Sequence, residues 1–169
     1  IRDFCLSRGL GDVYKRQVYD RAVIIDFSRR NEATKLNRTI PRIKLGMDNL
    51  LNLFAVAIND ENNGLSREEY RKFSELTDFA LDVFDVNFGN RILNQIYRFV
   101  PVFVACGGTS AKALDLMFAR KVLRKLEGRF DDGIKGNLVK LEKLILQNYS
   151  KTEFSETLET IARLKRKLL

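Results

Sequence analysis

Arg91 is the residue of this sequence whose position best suits the binding of an anion. It follows Phe88, Gly89 and Asn90 at the predicted first turn of a helix, where backbone N–H groups lack partners within the helix. A planar guanidinium and free N–H donors can bind one phosphate together. The alternative is a solvent-facing arginine whose stem covers apolar surface. Gly89, Asn90 and Arg91 are therefore candidate nucleotide-binding residues.

A second arginine, Arg21, lies beside Asp20 immediately before an apolar run at residues 22–27 with the composition of a buried strand. At a sheet edge or a subunit boundary, such an arginine could reach a neighbouring subunit's nucleotide and act as an arginine finger. The alternative is a local surface contact with Asp20, which contributes little to stability. Arg21 is the candidate catalytic residue.

Several kinds of chemistry lack the residues that they need. The sequence contains no histidine, which removes the usual general base, the Ser-His-Asp triad and almost every zinc site. It contains neither a GxxxxGK(S/T) phosphate loop nor a GxGxxG motif. The neighbouring carboxylates Asp131 and Asp132, like Glu68 and Glu69, suit a solvated turn or the first turn of a helix. We expect no metal site, and no hydrolysis by this chain alone.

The chain is basic, with a net charge of +8, and should attract anions such as nucleotides, nucleic acid or an acidic protein face. Two basic clusters could contact nucleic acid phosphates. They comprise Arg120, Lys121, Arg124 and Lys125, and residues 163–167. Neither has interleaved aromatic residues that would stack on bases. Solvated helix faces are the simpler explanation of both clusters.

The first seventeen residues, IRDFCLSRGLGDVYKRQ, follow neither a helical nor a strand period. Residues 5–17 resemble a translated sequencing-adaptor artefact of the kind found at the broken ends of environmental gene assemblies. A disordered natural tail and a basic arm for nucleic acid are the alternatives. This segment is excluded from the fold prediction.

The remaining sequence predicts one strand, at residues 22–27, followed by helices. Apolar residues recur at helical spacing in residues 45–58, 66–84, 90–101, 110–128, 138–145 and 154–168. Ser66 and Glu69 form a capping box, Ser110 is a second cap, Pro101 kinks or ends its helix, and Gly128 stops another. We expect a mainly α fold, a helical bundle of about five or six helices with one orphan N-terminal β-strand.

The sequence also bears on the cellular compartment. No segment reaches the ~18 uninterrupted apolar residues of a transmembrane helix, so no membrane partner is expected. Cys5 and Cys106 are far apart and lack CxxC spacing, which favours a reducing, cytoplasmic compartment. Cys106 is most simply a small apolar filler.

Three stretches of the sequence are similar to the motifs of one protein family. VYDRAVIIDF (18–27) is similar to an "lDRa" segment, FGNRILNQIYRF (88–99) to "FGyRv.nEi.ry", and KALDLMFARKVLRKLEG (112–128) to "ALD..i..KvLpKl.G". In this order, they resemble the end of the nucleotidase core and the helical lid of McrB-type AAA+ proteins, the motor subunits of methyl-directed restriction systems. Residues 18–40 would then be a remnant of the core, and residues 41–169 the lid.

The resemblance implies a hexameric ring of identical subunits, hydrolysis of ATP or GTP with Mg²⁺, and coupling to DNA translocation or remodelling with a partner nuclease. Arg91 would be the second sensor, which contacts the γ-phosphate from the lid, and Arg21 would be the arginine finger. The upstream AAA+ core would supply the phosphate loop and the Mg²⁺ ligands, so this fragment would be inactive alone. Pro101 and the apolar residues 116–119 depart from the family pattern.

Two other interpretations remain open at this stage. A free-standing basic helical module could bind nucleic acid or an acidic protein partner through its positive charge. A purely structural helical domain would require no ligand.

Overall fold

The helical periods of the sequence agree with a computed structural model, which describes residues 44–86, 89–129 and 133–167. Within those ranges the chain forms six α-helices and no strand, so the fold is the expected mainly α bundle. The helices are α1 (Met47–Asn59), α2 (Arg67–Phe84), α3 (Asn90–Ala105), α4 (Ser110–Met117), α5 (Ile134–Asn148) and α6 (Ser155–Lys167). The predicted strand at residues 22–27 lies outside the described residues.

Helix α2 begins and ends where its sequence signals predict. The Ser66 hydroxyl accepts the N–H of Glu69 at 3.2 Å, and Glu69 Oε2 accepts the N–H of Ser66 at 2.9 Å. These two bonds form the predicted capping box. The helix ends at Phe84, after which Asp85 adopts a left-handed conformation with φ of 51°.

Helix α3 continues through Pro101 to Ala105, so of the two predicted effects of Pro101, a kink or a helix end, the helix end does not occur. Proline cannot donate a hydrogen bond to the carbonyl of Tyr97. Pro101 and Val100 are buried, and their packing offsets that loss. The helix ends instead at a turn in which Gly107 has φ of 89° and Gly108 donates its N–H to the Phe103 carbonyl at 3.0 Å.

The predicted helix from Ser110 to Gly128 exists, but its winding changes along its length. Helix α4 passes into a π-helical turn (Phe118–Val122) and then a 3-10 turn (Leu123–Leu126). The predicted stripe is buried throughout, and it comprises Leu114, Met117, Phe118, Val122 and Leu126. Gly128, with φ of 84°, ends the segment as predicted. The cap is Thr109 rather than Ser110, because the Thr109 hydroxyl accepts the N–H of Lys112.

The hydrophobic core lies between α2, α3, α4, α5 and α6. Its fully buried side chains include Leu76, Ile96, Phe118, Leu141 and Ile161. Helix α1 packs against α3 and contributes one buried residue, Ala57.

Cys106 is exposed and free, so its interpretation as an apolar filler is wrong. Of the helices that the structure describes, none has both the length and the apolar character needed to cross a membrane.

Candidate functional site

The N-terminus of helix α3 places Gly89, Asn90 and Arg91 together at the surface. Gly89 is the N-cap and offers no side-chain hydrogen bond. Its carbonyl accepts the N–H groups of Ile92 at 2.9 Å and Leu93 at 3.4 Å. The preceding N–H groups, those of Asn90 and Arg91, have no acceptor within the helix. This helix end therefore presents N–H donors that have no acceptor within the helix, together with the positive end of the helix dipole.

The Arg91 side chain is exposed and makes no hydrogen bond or ion pair within the described part of the chain. A Cβ atom at Gly89 would meet nothing within 4 Å apart from its two chain neighbours. Ile92 and Ile96, on the face of α3 that packs into the core, are each 2% exposed. The bundle core thus fixes the helix, while the guanidinium stays accessible to an anion.

Arg21, the predicted arginine finger, lies outside the described residues. The site that the structure describes therefore contains Arg91 but not Arg21. Of the predicted site residues, the structure brings together the three at the start of α3.

The two basic clusters are largely engaged in contacts within the bundle. Lys121 is fully buried in the π-helical turn. Glu127 pairs with both Arg124, at 3.3 Å, and Arg163, at 3.1 Å. Lys165 pairs with Glu142, and Arg120 and Lys125 also have interactions. These contacts leave few free cations for nucleic acid phosphates and favour the interpretation as ordinary helix faces.

The neighbouring carboxylates Glu68 and Glu69 have separate structural roles. The hydrogen bond and ion pair from Lys72 hold the pKa of Glu68 below its ordinary value. Burial alone would raise the pKa of Glu69, but hydrogen bonds from Ser110 and Ser66 outweigh it, so this pKa is also lowered. Glu69 thereby joins the start of α2 to the start of α4.

Asp115 is a buried charged residue that the sequence patterns did not reveal. It is 0% exposed, and its carboxylate accepts the backbone N–H groups of Glu156 at 3.0 Å and Thr157 at 2.7 Å. Lys112 Nζ lies 3.0 Å from Asp115 Oδ2 and 2.5 Å from Ser155 Oγ. Asp115 therefore caps helix α6 from a distant part of the chain. The sequence signal that could have revealed Asp115 is its position, as a polar residue, within the apolar stripe of α4.

The described residues contain no group of three or more His, Cys, Asp or Glu side chains that could hold a metal ion. They form a helical bundle domain in which the N-terminus of α3 is exposed. The profile of one family, described as "Domain of unknown function (DUF8727)", matches residues 42–169, and the chain belongs to that family. The chain matches none of the curated proteins and none of the solved structures with which it was compared.

Proposed function

We propose that residues 41–169 are the helical lid of a nucleoside triphosphatase of the McrB-like AAA+ class. The observation that carries this proposal is the position of Arg91. It is exposed at the N-terminus of α3, which lacks a side-chain cap, and it has no partner among the described residues. The resemblance of residues 88–99 and 112–128 to the lid of that class supports it.

The chemistry of the site suits a terminal phosphate. The two backbone N–H groups without an acceptor in the helix and a guanidinium can share the negative oxygens of a γ-phosphate, since charge-assisted hydrogen bonds to phosphate are stronger than neutral ones. Ile92 and Ile96 hold α3 in the core, so the backbone of Arg91 is fixed to the bundle.

The other functions of such a machine belong to other parts of it. A preceding AAA+ core would bind ATP or GTP with Mg²⁺, and this domain alone would neither hydrolyse nor tightly bind nucleotide. Arg21 would serve a neighbouring subunit in a hexameric ring. DNA and a nuclease subunit would be the partners, and the assembly would be cytoplasmic.

The test compares Arg91→Ala with Arg98→Ala in a protein that carries this domain behind its nucleotidase core. Both arginines are exposed on α3 and have no partner in the part of the chain that the structure describes, so Arg98→Ala is a matched control. We expect Arg91→Ala to lower the nucleotide turnover number roughly 100-fold, the typical effect of losing a group that stabilises charge in the transition state. Arg98→Ala should leave turnover within about twofold. Unchanged turnover in Arg91→Ala would remove the sensor role.

A second candidate function, binding of nucleic acid or an acidic protein, is supported by a different surface. Lys135, Lys140 and Lys143 are exposed on α5 and have no ion pair within the described residues. If they contact DNA phosphates, the logarithm of the affinity should fall with the logarithm of salt concentration with a slope of up to about −3. Fluorescence anisotropy with a labelled duplex measures this slope. Absence of binding at low salt would exclude nucleic acid.

A further inference from the structure

An open polar cleft lies between the start of α2 and the end of α5. Its volume is about 540 Å³, within the range of roughly 300–1,000 Å³ that small-molecule sites occupy. The ionisable side chains in its wall are those of Glu68, Glu69, Lys72, Tyr149 and Glu153. The N-terminus of α3 does not contribute to this wall, so the cleft is separate from the candidate phosphate site.

The wall of the cleft carries an excess of negative charge. Lys72 pairs with Glu68 at 2.7 Å. Glu69 and Glu153 accept hydrogen bonds from nearby serines but have no ion pair among the described residues. Burial opposes the effect at Glu69, yet these hydrogen bonds hold the pKa of both carboxyl groups below the ordinary value. Two carboxylates of the cleft are therefore charged at neutral pH and lack a paired cation.

The Tyr149 hydroxyl is a second, independent indication of a ligand. Tyr149 is 7% exposed, and its hydroxyl has no hydrogen-bond partner within the part of the chain that the structure describes. Burial, and then the charges of Glu69 and Glu153, raise the pKa of this hydroxyl, as expected for a group beside the two carboxylates. Because buried polar groups in proteins are normally hydrogen-bonded, a ligand in the cleft is a natural partner for it.

We propose that this cleft binds a small organic diamine. A primary ammonium group has three N–H donors and no acceptor, so it can donate to a carboxylate and to the Tyr149 oxygen at the same time. Two ammonium groups match the charges of Glu69 and Glu153. A metal ion suits the cleft less well, because the described residues contain no group of three or more ligands that could hold one. The chain as a whole has a net charge of +8 and repels cations, so diamine binding requires a local acidic site.

Titration of the ¹⁵N-labelled full chain with 1,4-diaminobutane, followed by NMR, tests the proposal. We expect shift changes at the backbone amides around Glu69, Tyr149 and Glu153, with a dissociation constant of roughly 0.1–1 mM for so small a ligand. The neutral analogue 1,4-butanediol should cause none of these changes. Shift changes that Mg²⁺ reproduces at the same ionic strength would show a counterion only and overturn the proposal.

A pair of variants separates the local site from the general charge of the chain. Glu153→Gln removes one charge from the cleft, while glutamine can still accept the N–H of Ser150. It should raise the dissociation constant roughly 10-fold. Asp78→Asn removes the same charge from an exposed position on α2 outside the cleft, and should leave the constant within about twofold. Equal effects of the two variants would overturn the proposal.

Tyr149→Phe tests the role of the hydroxyl. It keeps the ring that stacks on Phe154 and removes only the group that the ammonium would contact. We expect the dissociation constant to rise roughly 10-fold, the typical effect of losing a hydrogen bond to a charged group, with an unchanged melting temperature of the free chain. Unaltered diamine affinity in this variant would contradict the site.

Discussion

The Asp115 carboxylate accepts the backbone N–H of Thr157 at 2.7 Å, across 42 residues of sequence. The Thr157 hydroxyl donates in return to the Asp115 carbonyl at 3.2 Å. Both residues are fully buried. These two hydrogen bonds hold the start of α6 against α4.

Replacing Asp115 with alanine should therefore destabilise the domain strongly. The change leaves the buried N–H groups of helix α6 without an acceptor and removes the carboxylate partner of Lys112. We expect a loss of about 2–4 kcal/mol in the free energy of unfolding, measured by urea denaturation. Asp78→Ala is the control, because Asp78 is exposed on α2 and should change stability by less than about 0.5 kcal/mol. Equal losses would contradict the capping role.

The contrast between Asp115 and the α2 capping box shows which features the sequence could predict. Ser66 and Glu69 are three residues apart, so their pairing is local and readable in the sequence. The helical spacing of Leu114, Met117 and Phe118 predicts their burial for the same reason. The partner of Asp115 lies in another helix, and no local pattern identifies it.

Helix α1 shows the same limit for apolar residues. The spacing of Leu51, Phe54 and Ile58 predicts a helix with an apolar face, and the helix is present. Spacing does not determine what covers such a face, and the structure leaves these residues exposed. At the candidate site, the start of α3 was predictable from Gly89 and Asn90. The helical spacing of apolar residues and the signals that start a helix both depend on neighbouring residues only. The role of Arg21 as an arginine finger stays a prediction.

The link between Glu69 and Ser110 should make stability depend on pH. The folded-state pKa of Glu69 is lowered, so its carboxylate stabilises the fold above its ordinary pKa, and that stabilisation is lost as pH falls through the folded-state value. Ser110→Ala removes one hydrogen bond to the carboxylate. It should raise the pKa of Glu69 and shift the loss of stability to higher pH.

Carbon-13 NMR titration of the Glu69 carboxyl group measures this pKa directly. Ser150→Ala is the control, because the Ser150 backbone and hydroxyl groups lower the pKa of Glu153 instead. It should leave the pKa of Glu69 unchanged. An unaltered pKa of Glu69 in Ser110→Ala would show that the link across the two helices does not form.

Two glycine-to-alanine substitutions should change stability in opposite directions. Gly136 lies in α5, and a Cβ there meets nothing within 4 Å. Alanine should stabilise the domain by about 0.5–1 kcal/mol, because it lowers the entropy of the unfolded chain. At Gly108 a Cβ would lie 2.2 Å from the Phe103 ring, so Gly108→Ala should destabilise it by about 1–3 kcal/mol. Thermal unfolding measures both, and a common sign would contradict the described packing.

Tyr149→Phe should leave the domain as stable or make it more stable. Tyr149 is 7% exposed and stacks on Phe154 with ring centroids 3.9 Å apart. Its hydroxyl is buried and has no hydrogen-bond partner among the described residues. Burial, and then the nearby carboxylates of Glu69, Glu153 and Glu75, raise its pKa above the ordinary value. Phenylalanine keeps the stacking and removes an unsatisfied polar group, so we expect a gain of up to about 1 kcal/mol in the free energy of unfolding. Tyr149→Leu, which loses the ring contact, should cost stability.

An absorbance titration of the folded protein adds a second measurement. Because its pKa is raised, Tyr149 should stay protonated at a pH where exposed tyrosines ionise. Tyr149→Phe should therefore not reduce the tyrosine ionisation seen near pH ~10. A loss of more than about 1 kcal/mol in Tyr149→Phe would show that the hydroxyl does have a partner in solution.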